Sequence, residues 1–165
     1  MRCIQCKDEI MRTDRITNYH YIESGLPNVV LRNIKVRTCP NCGDRLITIP
    51  KMPELHKLLA NLLIMKEERL ASPEIRFLRK YLGWSQRDFA SKFHTSVSRV
   101  SKWESETNPQ NMDSRNEILL RMSVAMGQKI NNYFEHMDEV ATKEKGYTAT
   151  QLTLAHTRGE WQEAA

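Results

Sequence analysis

The chain has 165 residues, of which 40% are hydrophobic and 27% charged, and its formal net charge is +5. That length admits one large domain or two small ones, and the composition is that of a soluble globular protein. No apolar run approaches the length needed to span a bilayer, which excludes a membrane-spanning role. Met1-Arg2-Cys3 opens the chain without an apolar signal core, so a cytoplasmic location is expected. Four cysteines in that compartment point to metal rather than to disulfides. Charge is unevenly spread. Residues 1–53 carry nine basic and five acidic groups, and residues 73–112 seven and four, whereas 113–165 carry six and eight. Basic blocks are compatible with nucleic-acid binding but are also ordinary solvated faces.

In chain order, residues 1–53 hold a cysteine pair near each end with strand-like material between. Ile16 to Ile22 and Val29 to Val36 are rich in β-branched and aromatic residues, and Ser24-Gly25-Leu26-Pro27-Asn28 reads as a hairpin connection. Residues 54–72 form a predicted linking helix with an apolar stripe at Leu55, Leu58, Leu59, Leu62, Leu63 and Leu70. Ser72-Pro73 then signals a new start, with serine as N-cap and proline in the first turn. Residues 73–142 read as a series of short helices. Ile75, Leu78 and Leu82 mark the first, which Gly83 ends, and Ser85 with Asp88 forms a capping-box start to the second. Ser96 caps the third, whose buried stripe is Val97, Val100 and Trp103. Asp113 or Ser114 opens a fourth, with Ile118, Leu119, Met122 and Met126 inward, and Asn131 to Val140 suggests a fifth. Residues 143–165 read as a polar tail, mobile or ordered by a partner.

Cys3-Ile4-Gln5-Cys6 and Cys39-Pro40-Asn41-Cys42-Gly43 are two C-x-x-C knuckles, the ligand set of a tetrahedral four-thiolate zinc site. Two intervening residues let both sulfurs of a pair reach one ion, and a hairpin brings the knuckles together. One structural Zn²⁺ per chain is expected. Four ligands leave no open position for water, so the ion is not catalytic. Arg2, Lys7, Arg37 and Arg45 lie close in sequence to offset the thiolate charge. A redox C-x-x-C is the competing reading, but it belongs in a βαβ setting, which this pattern lacks. Without a Ser/His/Asp constellation, a paired-carboxylate motif or a phosphate-binding loop, catalysis is not expected.

Trp84 to Glu104, WSQRDFASKFHTSVSRVSKWE, is a capped helix, a short turn and a second helix, which is a helix-turn-helix pattern. Small serines allow close approach to a duplex, and Arg99 and Lys102 can reach phosphates or guanine. The stretch resembles the Xre family of lambda-repressor-like regulators, through Ser85, Gln86, Ala90, Ser96, Val100, Ser101, Lys102, Trp103 and Glu104. The expected DNA contacts are Gln86, Arg87, Ser96, Val97, Ser98, Arg99 and Lys102, of which Gln86 resembles the family's phosphate contact; Glu104 is expected to pair with a nearby basic side chain such as Arg79 or Lys80 rather than to touch DNA. Three positions depart from the pattern. His94 stands at the turn's usual glycine, and Glu106 replaces the glycine that often ends the recognition helix. Val97 occupies a position where glutamine reads a base; it packs on a thymine methyl or belongs to the core.

The order of parts, a cysteine-knuckle section, a linking helix and an Xre motif, resembles the MqsA (YgiT-type) antitoxins of bacterial toxin–antitoxin modules. That resemblance implies an α+β chain in which a small zinc-bound β-hairpin domain precedes an all-α lambda-repressor-like domain. It also implies a homodimer, a palindromic DNA operator and a ribonuclease toxin as partner, with repression of the chain's own operon. The alternative is a free-standing Xre-family regulator whose zinc section only stabilises or senses.

Overall fold

Strand-forming residues in the first fifty positions build parts of two small sheets rather than one hairpin. The computed structural model describes residues 2–7, 11–128 and 149–164. Strands β1 (Arg12–Ile16), β4 (Ile34–Thr38) and β5 (Arg45–Thr48) form an antiparallel sheet in the order β1-β4-β5. Strands β2 (Tyr19–His20) and β3 (Val29–Arg32) pair antiparallel in the other sheet. Asn33 is the single residue between β3 and β4, and its φ of 64° turns the chain out of one sheet and into the other. Its side chain holds that corner, since Nδ2 donates to the His156 carbonyl at 2.9 Å and Oδ1 accepts from Arg15.

The second sheet is completed from the far end of the chain. Strand β6 (Leu152–Thr157) pairs parallel with β3, and β7 (Glu160–Glu163) returns antiparallel, giving the order β2-β3-β6-β7. Residues 152–163 are therefore not a mobile tail. Leu152, Leu154 and Trp161 enter the core, and the Trp161 Nε1–H donates to the Pro50 carbonyl at 2.9 Å. The local reading failed because Leu152 and Leu154 alternate with polar positions too briefly to signal a strand alone. Pairing with the fully buried Val29-Val30-Leu31 run supplies the missing half of the core.

Among the described residues, five helices follow β5: α1 (Met52–Met65), α2 (Ser72–Tyr81), α3 (Gln86–Lys92), α4 (Val97–Trp103) and α5 (Ser114–Gly127). The linking helix buries Leu55, Leu59 and Leu63 as expected but stops at Met65 rather than near Leu70. At its end, the Arg121 guanidinium donates to the carbonyls of Ile64, Lys66 and Glu68 at 2.7–2.9 Å and so ties the last turn of α1 and the segment after it to α5. The N-cap of α2 is Ala71, not Ser72; the Glu74 carboxylate accepts from the Ala71 N–H at 2.7 Å instead.

Helix α5 is rotated from the expected face. Leu120, Val124 and Ala125 point inward with Glu117 and Arg121, while Leu119 and Met126 are exposed and Ile118 and Met122 half-buried. The charged pair is inside because it is saturated: Glu117 meets Arg121 at 2.9 Å, Arg69 at 2.5 Å and the Leu70 N–H at 3.1 Å. The expected helix at Asn131 to Val140 lies outside the described residues. Side chains from β3, α1, α2, α3, α4, α5 and β6 belong to one continuous core.

Leu154 is fully buried against that core. Leu154→Ala is expected to lower the unfolding free energy by about 2–5 kcal/mol in chemical denaturation, the usual cost of a leucine-sized core cavity. A strand lying loosely on the surface would show almost no change.

Candidate metal centre and nucleic-acid interface

Each cysteine pair is held by the same backbone turn. The Lys7 N–H donates to the Cys3 carbonyl at 3.1 Å and the Gly43 N–H to the Cys39 carbonyl at 3.0 Å. Both residues after the second cysteine are left-handed, Lys7 at φ 60° and Gly43 at φ 72°. Glycine adopts that conformation freely, whereas lysine adopts it against a steric penalty. β4 delivers Cys39, and the return to β5 carries Cys42.

The four sulfurs converge. Cys3 Sγ lies 3.6 Å from Cys42 Sγ, Cys6 Sγ lies 3.6 Å from Cys39 Sγ, and all four lie within 4.8 Å of one another. The edge of a tetrahedron with metal–sulfur bonds of about 2.3 Å is about 3.8 Å, so the cluster has the size of a four-thiolate metal site. Cys3 and Cys39 are buried, and Cys42 is at the surface. The Cys42 backbone N–H is the main influence that brings the Cys39 thiol down to about 7. At Cys42 the Asp44 N–H favours the thiolate, but the neighbouring Cys39 and Cys3 outweigh it and hold that thiol up to about 12. Thiolates packed this closely repel one another, and a cation at their centre reverses that repulsion. Among the described residues, Met11 and Leu46 join Cys3, Cys6 and Cys39 in a small cluster apart from the main core. The candidate metal ligands thus stand where a hydrophobic core would otherwise be needed.

The basic half of the site starts at two caps. Ser85 accepts from the Asp88 N–H at 3.1 Å and the Asp88 carboxylate accepts from the Ser85 N–H at 2.8 Å, the expected capping box. Hydrogen bonds from Ser85, first its side chain and then its backbone, hold the Asp88 carboxyl below its ordinary value. Ser96 caps α4 by accepting from the Arg99 N–H at 3.2 Å. Between the helices His94 is left-handed at φ 49°, the conformation for which glycine is the usual residue. Phe89, Phe93, Trp84 and Trp103 then pack as an aromatic cluster that sets α4 against α3.

Val100 and Trp103 are buried, but Val97 is 44% exposed, so the expected three-residue stripe is a two-residue one. Residues three apart on a helix fall about 60° short of a full turn, and over two such steps Val97 rotates out of the core. The outer face of α4 therefore presents Val97, Ser98, Arg99, Ser101 and Lys102, all exposed, beside the capping Ser96. Arg87 is exposed on the neighbouring helix. Gln86 is half-buried, and its Nε2 donates to Glu104 Oε2 at 3.0 Å, which turns its amide toward the protein.

Glu104 is the lock under this face. Arg79 from α2 grips it with Nε at 2.5 Å and Nη2 at 2.9 Å, and Arg79 Nη1 also donates to the Trp84 carbonyl at 2.7 Å. The carboxylate at the end of α4 is thereby tied to α2 and α3 together, with 2% of its residue surface exposed. Arg79, rather than Lys80, is the partner, and a bidentate fork is the geometry that only arginine provides.

Residues 75–112 match the helix-turn-helix family. The match runs from α2 through α3 and α4 to the loop before α5. No curated protein and no solved structure matches the chain. A helix-turn-helix places its second helix against DNA, and here that helix is α4. Sequence reasoning missed the buried polar network at Glu117 and Arg121; their i,i+4 spacing is the one local signal for it.

Metal analysis of the purified chain is expected to give one ion per chain. A strong chelator is expected to lower the melting temperature, and Cys39→Ser to abolish that response. Glu104→Ala is expected to cost about 3–5 kcal/mol, because Arg79 is left as a buried, unpaired charge. A fall of less than about 1 kcal/mol in denaturant titration would remove Glu104 from the role described.

Proposed function

We propose that this protein is a DNA-binding transcriptional repressor whose α4 reads an operator near its own gene, and that it acts as the antitoxin of a toxin–antitoxin pair. The observation that carries the DNA reading is the exposed, acid-free face of α4 with Arg99 and Lys102, on a helix whose opposite side is pinned by Glu104. Ser98, Arg99 and Lys102 are assigned to base edges and phosphates. Ser96 approaches the backbone at the helix start, and Val97, being exposed, packs on a thymine methyl. Arg87 adds a phosphate contact from α3. Gln86 reaches phosphate only by leaving Glu104, so it is the weakest member of the set.

The metal is proposed to be structural zinc held by Cys3, Cys6, Cys39 and Cys42, since four thiolates in a closed set suit Zn²⁺. The antitoxin role rests on the resemblance of the whole order of parts, from knuckles to recognition helix. A toxin ribonuclease, a palindromic operator and a homodimer belong to this proposal, as does a cytoplasmic setting. Among the described residues, no helix is long and apolar enough to cross a membrane. One observation favours the second reading, a free-standing regulator. The β2-β3-β6-β7 sheet braces the cysteine-bearing section against the helices, as a purely stabilising module requires.

In gel shifts with DNA from upstream of its own gene, Arg99→Ala and Lys102→Ala are each expected to cost about 1–3 kcal/mol if they read bases, and less if they hold phosphate. Binding is expected to fall steeply between low and moderate salt. Unchanged shifts for both variants would misplace the recognition helix. Co-purification with the adjacent gene's product separates the antitoxin from the free-standing regulator, which would come through alone.

A further inference from the structure

A cavity of about 490 Å³ lies where the β1-β4-β5 sheet meets the β6–β7 turn, and none of its described lining residues belongs to α4. Its walls include Arg15, Lys35, Thr48, His156, Thr157 and Arg158. A neighbouring hollow shares Arg15 and adds Arg32, and among the described residues no acidic side chain lines either one.

Three features set this cavity apart from an ordinary solvated face. Arg15 and Lys35 are direct cross-strand partners on one face of the sheet, and Lys35 has Thr48 on its other side. Like charges directly opposite one another destabilise a sheet pair. Among the described residues neither Lys35 nor Arg158 makes an ion pair. Arg158 is held left-handed at φ 52° in a two-residue turn with Gly159 at φ 87°. That turn prefers asparagine or glycine at the position, so arginine is kept there against conformational preference. His156, which also lines the cavity, has a buried Nε2 with no hydrogen-bond partner.

The geometry points to a binding site for a small phosphorylated metabolite, with Arg15, Lys35 and Arg158 around the phosphate and Thr48 and Thr157 donating hydroxyls. Guanidinium forks match phosphate oxygens, and the ammonium adds a point charge. The volume falls in the range of small-ligand sites and leaves room for an organic group beside the phosphate. A concave hollow suits a compact ligand better than the rod of a duplex backbone. The walls come from β1, β4, β5 and the β6–β7 turn, so a bound ligand would clamp the end of the chain onto the cysteine-bearing sheet. The site stands independently of the DNA-binding reading.

Titration calorimetry of the full chain at low salt, with inorganic pyrophosphate and separately with adenosine monophosphate, tests this. Saturable binding of one probe molecule per chain is expected. Lys35→Ala and Arg158→Gly are each expected to weaken it about tenfold or more, the loss of one charge-assisted contact. Arg158→Gly supplies a residue the turn favours, so its melting temperature is expected to be no lower than that of the parent, which separates lost binding from lost folding. Failure of both probes to bind the parent chain would overturn the proposal, as would equal binding by the parent and both variants. If neither probe binds and Arg158→Gly instead weakens binding to a DNA duplex, the cavity is a phosphodiester contact and the small-ligand site is overturned.

Discussion

Three buried carboxylates, Glu74, Glu104 and Glu117, each with no more than 2% of its surface exposed, set the architecture. An ionised carboxylate is tolerated inside a protein only when cations and N–H groups saturate it, and here those partners come from separate segments. Glu74 takes Lys66 at 2.6 Å, the Ala71 N–H at 2.7 Å and the Thr150 N–H at 3.0 Å, so it ties the exit of α1 and the start of α2 to the approach of β6. Glu117 gathers Arg69, Arg121 and the Leu70 N–H. Glu104 gathers Arg79 and Gln86. Each carboxylate therefore works as a joint, and α4 is oriented because the residue that caps its C-terminus, Glu104, is one of them.

Five described residues other than glycine are left-handed; Lys51, at φ 47°, precedes α1, and the other four stand at turns that the candidate sites or the two sheets depend on. Lys7 closes a cysteine knuckle, Asn33 turns the chain between two sheets, His94 makes the turn before α4, and Arg158 stands at the cationic cavity. All four are left-handed residues other than glycine, kept in place by surrounding contacts. Gly43, at the position in the second knuckle equivalent to Lys7, meets the same geometric demand without the steric penalty.

The cysteine cluster and the recognition helix are linked mechanically through packing. The knuckles have only a minor apolar cluster of their own, whereas β3 runs directly into the main core that α4 also enters through Val100 and Trp103. A metal ion held by the cysteines would fix the β4–β5 end of the three-stranded sheet and so steady β3 across the Asn33 corner, and β3 in turn carries β6. Metal loading and folding are expected to be coupled for this reason.

Features set by neighbours in the chain were legible in the residues alone. The C-x-x-C spacing announces ligand pairs because two intervening residues set the reach of the sulfurs. Ser85 with Asp88, Ser96 and Asp113 announce helix starts because a cap bonds to its own first turn. The α3–turn–α4 unit is legible for the same reason. What tertiary structure alone decided is the set of contacts between distant segments. Residues 152–163 become strands only because β3 offers an edge, α5 turns its charged pair inward only because Arg69 and the end of α1 receive it, and Val97 faces outward only because Trp103 claims the core. Local hydrogen bonds close over three or four residues and leave a spacing in the sequence, as the apolar stripe of α1 does; which distant segment covers a given face is a property of the partner, and local spacing does not record it.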